Sequence, residues 1–234
     1  MNVGKSGISI IIMLLLIGTA VLIGTSPGVQ NWLKSLSAGA CEIDDSWYIM
    51  YYHEDPYDSW SARLIRDEYG ATMVPLDSAM EPQYNKQGQN LLFIGGSKIF
   101  AGKVPWMESW PTLTVVKPGG FPNVYIANDG TWSNIWIDTP LGKYYMAEDG
   151  EWIHDFGVIA RGWDSDLQRW IVVIIGGSAA CTGAGAVICV ENWEAVIKGK
   201  WLVYEIDLAI WDENKDVSEW DVSLFSEPNL VAYG

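Results

Sequence analysis

Residues 171–193 read IVVIIGGSAACTGAGAVICVENW, and this stretch decides the fold. Ile171-Val172-Val173-Ile174-Ile175 is an unbroken β-branched run, the mark of a strand buried on both faces. Gly176-Gly177-Ser178 interrupts it and turns the chain. The small apolar residues that follow predict a helix from about 179 to 198, stopped by Gly199. Trp201 to Ile206, WLVYEI, reads as the next strand. Strand, helix and strand at this spacing predict a parallel sheet covered by a helix.

Residues 47–97 repeat the pattern. Trp47 to Tyr52 reads as a strand by its aromatic content, and His53-Glu54-Asp55-Pro56 as a turn. Asp58 or Ser59 then caps a helix through Tyr69, stopped by Gly70. Ala71 to Leu76 is a second strand, and Leu91-Leu92-Phe93-Ile94 a third that ends at Gly95-Gly96-Ser97. Between about 104 and 158 the pattern changes to strand and turn. Asn128-Asp129-Gly130 and Glu148-Asp149-Gly150 are hairpin signals flanked by Tyr125-Ile126, Ile135-Trp136-Ile137 and Tyr144-Tyr145-Met146. The expected fold is α/β: a mostly parallel sheet with covering helices and a β-rich antiparallel insertion, preceded by one N-terminal transmembrane or signal helix. The expected organisation is an anchor or signal over 1–24, a tether over 25–45, an α/β ectodomain over 46–210 and an acidic C-terminal extension over 211–234.

Ile8 to Gly24 is an uncharged apolar run of 17 residues between Lys5 and Lys34. It is apolar on every face, so it reads as a membrane segment or an export signal. The small-x-small triplet Ala38-Gly39-Ala40 lies far beyond the run, and Pro27 spoils the nearer cleavage positions. A retained anchor is therefore favoured over a cleaved signal; prepilin-type processing after Gly7 is the third reading. Lys5 and Lys34 are the only charges in the first 41 residues. Residues 42–234 hold 12 basic and 29 acidic side chains, net −17. Such a charge repels nucleic acid and anionic lipid, and it excludes binding to nucleic acid through a basic patch. The expected location is the cell membrane, with the bulk of the chain extracellular.

The chemistry-bearing residues are sparse. Gly95-Gly96-Ser97 and Gly176-Gly177-Ser178 stand at strand ends, where open α/β sheets place ligands, and are the ligand-binding candidates. Neither has phosphate-loop spacing. His53 beyond the first strand and Ser178 are the catalytic candidates for a hydrolase, without a Gly-x-Ser-x-Gly context. No cofactor is expected. Calcium is the one cation with a ligand pattern, through Asp212, Asn214 and Asp216 at every second residue; Val217 replaces the turn glycine of such loops. Cys181 and Cys189, eight apart on a helix, are too distant to pair, so any disulfide would use Cys41. The chain has no Asn-x-Ser/Thr triplet. Fourteen Trp and eleven Tyr suit core packing, glycan stacking or subunit contacts alike.

Leu91–Ser97, LLFIGGS, and Ile171–Trp193 together resemble the repeating α/β domain of surface-layer-type proteins of hyperthermophilic archaea. The N-terminus is similar to archaeal signal or pilin-type anchors. The resemblance implies a small accessory envelope protein and no catalytic residues. The expected function is a structural or binding role at the cell surface, contacting other envelope proteins or glycans, with self-association as a further contact. A secreted hydrolase using His53 and Ser178, and a pilin-like filament subunit with Ile8 to Gly24 in its core, are the alternatives.

Overall fold

The first α/β segment follows its punctuation. β1 (Tyr48–Tyr51) leads into α1 (Pro56–Tyr69). The α1 N-cap is Asp55, whose side chain accepts the Tyr57 and Asp58 N–H groups at 2.8 and 3.3 Å. Pro56 follows at a position that needs no N–H. Gly70, at φ 75°, closes the helix by donating to the Arg66 carbonyl at 2.7 Å, the left-handed ending glycine favours. β2 (Thr72–Pro75) and β3 (Leu91–Ile94) come next. β4 (Tyr125–Asn128), β5 (Ile135–Thr139), β6 (Gly142–Glu148) and β7 (Glu151–Trp152) form a separate four-stranded antiparallel sheet. Asp149 and Gly150, both at positive φ, make the tight β6–β7 turn.

Among the described residues β8 (Asp155–Asp164) and β9 (Arg169–Gly176) are the longest strands, and all of β9 pairs with residues 157–164 of β8. α2 (Ala179–Glu191), α3 (Trp193–Lys198), β10 (Trp201–Ile206), the short α4 (Leu208–Glu213) and β11 (Asn229–Tyr233) complete the chain. The single helix expected over 179–198 is two, broken at Asn192, whose backbone is not helical. The computed structural model describes residues 41–76, 83–84, 86–95, 124–128, 133–213, 216–225 and 228–234, all within one compact unit, Cys41–Gly234. Ile8 to Gly24 lies outside the described residues.

The expected α/β class, with a mostly parallel sheet, is not what forms. Among the described residues strand exceeds helix, 39% to 30%, and the main sheet is mixed. Its order is β11-β10-β8-β9-β3-β1-β2. β1 pairs parallel with β2 and β3, and β3 parallel with β9. β8 is antiparallel to both β9 and β10, and β11 antiparallel to β10. The cause is local: only four residues, 165–168, join β8 to β9, and so short a link permits only antiparallel neighbours. The β-rich region does not end at 158 but supplies a central strand. Among the described residues no helix is long and apolar enough to cross a membrane.

Alternation along the strands divides the core in two. Ile49, Leu92, Ile94, Val172 and Ile174 pack with the helices. Met50, Leu91, Phe93, Val173 and Ile175 pack with Ile126, Ile135, Ile137 and Met146 of the small sheet. The layers are therefore helices, central sheet and small sheet. α2 comes very close to the central sheet because Tyr204 lies across two glycines. A Cβ at Gly157 would meet the Tyr204 ring at 2.3 Å, and one at Gly185 would meet its hydroxyl at 2.3 Å and Ile174 at 2.5 Å. The buried Tyr204 hydroxyl donates to the Cys181 carbonyl at 2.8 Å, tying β10 to α2. Gly185→Ala should cost about 1–3 kcal/mol by overpacking this seam, read as a lower denaturant midpoint with unchanged m-value; an unshifted midpoint would mean that helix and sheet are not in contact there.

Candidate functional site

The mixed sheet brings one set of strand ends together. β9 and β10 finish, and β8 and β11 begin, on the same edge. Ile206 faces Asp155, Gly176 faces Gly157 and Glu205 faces Asn229. This edge carries two polar arrangements, one closed and one open.

The closed one is built on Asp155 and Ser178. The Ser178 hydroxyl donates to Asp155 Oδ2, and its N–H donates to Oδ1 at 3.1 Å. The same hydroxyl oxygen caps α2 by accepting the Cys181 N–H at 3.0 Å. The Gly176 N–H donates to Thr182 Oγ1 at 3.2 Å and the Gly177 N–H to the Phe156 carbonyl at 2.9 Å. All three amides of the Gly176-Gly177-Ser178 turn are thus bonded within the protein. Both glycines are required sterically. A Cβ at Gly176 would lie 2.3 Å from the Thr182 nitrogen, and one at Gly177 2.8 Å from Met146 Sδ and 2.9 Å from Asp155 Oδ1. Burial pushes the Asp155 carboxyl up to about 6, against the lowering effect of the Ser178 hydrogen bonds.

The open arrangement is a cleft of about 530 Å³ beside it, at the ends of β10 and β11. Its polar lining is His154, Glu205, Asp207 and Asn229. His154 Nδ1 meets Glu205 Oε1 at 2.6 Å, and the imidazole stacks on Phe156 with centroids 5.1 Å apart. Asn229 Nδ2 donates to the other carboxylate oxygen, Oε2, at 3.3 Å. Asp207 Oδ1 accepts the Ala209 N–H at 2.9 Å. Its apolar lining includes Ile210, Leu224 and Pro228. A concave site with apolar lining and a few fixed polar groups is the usual form of a ligand pocket.

The other candidates from the sequence are dispersed. His53 is exposed, and its carbonyl accepts the Ser59 hydroxyl at 3.4 Å. Two strands, β3 and β9, separate the end of β1 from β8, and the Ser178 hydroxyl is engaged by Asp155 and Cys181 rather than by an imidazole. Gly95 ends β3 at φ 147° and donates to the Ile174 carbonyl at 3.2 Å; Gly96 and Ser97 lie outside the described residues. Asp212 lies in the last turn of α4, Asn214 lies outside the described residues, and Asp216 Oδ1 caps the following turn through the Ser218 N–H at 2.9 Å. Among the described residues no group of three or more His, Cys, Asp or Glu is placed to hold a metal. Cys41, Cys181 and Cys189 are buried free thiols.

Sequence reasoning missed the cleft. The usable signal was Glu205, the one charged residue inside the apolar strand WLVYEI, together with His154 just before β8. No family model matches the chain, and no curated protein matches it.

Two buried carboxyls set a pH response. Asp58, 3% exposed, has an Oδ2 without a hydrogen-bond partner. Burial, reinforced by the Asp55 carboxylate and only partly offset by the Tyr52 backbone, pushes it up to about 8. Both groups bind protons more tightly in the folded chain than in the unfolded one, where the ordinary value is 3.8. Stability therefore falls as pH rises, from about 4 to about 6 through Asp155 and from about 4 to about 8 through Asp58. Asp58→Asn should remove the part of the decline that persists from pH 6 to 8, measured by urea denaturation; an unchanged slope there would contradict the assignment.

Proposed function

We propose that this chain is a membrane-anchored or exported cell-surface protein with a binding role in the envelope, and that its ligand site is the cleft lined by His154, Glu205, Asp207 and Asn229. The observation that carries the reading is the contrast at the sheet edge. The Gly-Gly-Ser turn has its amides bonded internally, whereas the neighbouring cleft of about 530 Å³ is lined by both polar and apolar side chains. Support for the location comes from the uncharged run Ile8 to Gly24 and the net charge of −17 over residues 42–234. The partners that suit it are other envelope proteins or glycans. A hydrolase built on His53 and Ser178 has less support, because the Ser178 hydroxyl is committed to a carboxylate and a helix cap.

Ile153 lines the cleft and is 39% exposed, so a large side chain there should obstruct the cleft with little risk to the core. The full chain, in mild detergent, should retain glycans or proteins of its own envelope, and Ile153→Trp should reduce that retention about fivefold or more, a loss of roughly 1 kcal/mol. Retention that ignores Ile153→Trp, or no retention by either form, would overturn the assignment.

A further inference from the structure

The charge pattern of the cleft selects among ligands. It sets two carboxylates, Glu205 and Asp207, against one imidazole, so it is net negative whichever protonation state His154 adopts. Glu205 has both oxygens engaged, Oε1 by His154 and Oε2 by Asn229. Asp207 differs. Its partner is a backbone amide, the Ala209 N–H. Among the described residues the side-chain ion pairs are Arg66–Asp67, His154–Glu205 and Arg169–Asp164, so no lysine or arginine among them neutralises Asp207.

An anion entering here would meet like charge. A wholly apolar guest would strip water from the carboxylates without replacing it. The apolar lining residues Leu224, Ile210 and Pro228 equally disfavour a small, fully hydrated ion. We propose that the cleft binds an organic ammonium group carried on an apolar stem. The ammonium sits against Asp207 and the His154–Glu205 pair, and the stem lies along Ile210 and Leu224. With Nδ1 turned to Glu205, the second ring nitrogen of neutral His154 is an acceptor, which suits a group with three N–H donors. Stacking on Phe156 fixes the plane of the ring. A free alkylamine and a lysine side chain of a partner protein present this same chemistry. The inference rests on the reading of the cleft as the ligand site.

The test titrates isotope-labelled full chain, in mild detergent, with butylammonium, butan-1-ol, butyrate and an N-acetylated, C-amidated Gly-Lys-Gly peptide, following amide shifts around the cleft. Butylammonium, the lysine peptide or both should bind at least about tenfold more tightly than butan-1-ol and butyrate. Asp207→Asn should weaken that binding about three- to fivefold, the value of one partly exposed ion pair. Binding of butylammonium alone marks a free amine as the source, and binding of the peptide alone marks a partner's lysine; each supports the shared chemistry. Equal binding of butan-1-ol or butyrate, no binding of any probe, or indifference to Asp207→Asn would overturn it. If the ammonium probes fail while Ile153→Trp still abolishes retention of envelope material, the amine specificity is wrong and the cleft remains the site. If both fail, the cleft is not the site.

Discussion

The four-residue turn between β8 and β9 constrains everything that follows it. Asp164 organises that turn: its Oδ1 accepts the Asp166 and Leu167 N–H groups, both at 3.1 Å, and its Oδ2 meets Arg169 Nε at 3.2 Å. A carboxylate that satisfies its own turn fixes the reversal locally. Once the chain reverses there, β8 must run against β9, and β10 then pairs with the free side of β8. A strand running the other way thus lies in the middle of the sheet. Its first residue, Asp155, and His154 just before it arrive beside the last residues of β9 and β10. In a wholly parallel sheet these residues would lie at the opposite edge from Glu205 and Ser178.

The two arrangements at that edge show how burial decides the use of polar groups. Asp155 is fully buried and its carboxylate is satisfied by Ser178, so it joins β8 to the start of α2. A buried acid left without such donors would be costly. Glu205, on β10, is held by His154 and Asn229 and opens onto a cleft. The glycines belong to the first arrangement. Gly176 and Gly177 let the turn close on Thr182 and Asp155, and Gly157 and Gly185 let Tyr204 clamp helix to sheet.

Much of the secondary structure was legible in the sequence, because its signals are local. Asp55-Pro56 and Gly70 mark α1 at both ends, the run Ile171 to Ile175 marks β9, and Asp149-Gly150 marks a hairpin. Sheet direction was not legible in the same way. Residues 155–164 alternate too little to separate a half-buried hairpin strand from an edge, since the small sheet covers the second face of β8 and removes the polar alternation. The turn signal at Asp164-Ser165-Asp166 was present but reads as an ordinary loop unless β8 is recognised first. The cleft was hidden for a further reason. His154, Glu205, Asp207 and Asn229 come from three separate stretches, and only the antiparallel pairing of β8, β10 and β11 brings them together. By contrast, the Gly-Gly-Ser turn was visible as a motif, and its amides are closed on the protein itself.

The central claim is that β8 runs antiparallel between β9 and β10. Proton NMR of the full chain tests it most directly, because non-hydrogen-bonded antiparallel partners bring their Hα atoms into close contact, with Cα atoms about 4.5 Å apart. The account predicts Hα–Hα contacts from β8 to both neighbours at the non-hydrogen-bonded pairs, Ile159 with Ile174 and Arg161 with Val172 on the β9 side, and Val158 with Val203 and Ala160 with Trp201 on the β10 side. Absence of Hα–Hα contacts on either side of β8, or a parallel pattern of backbone contacts there, would contradict it and would separate His154 from Glu205.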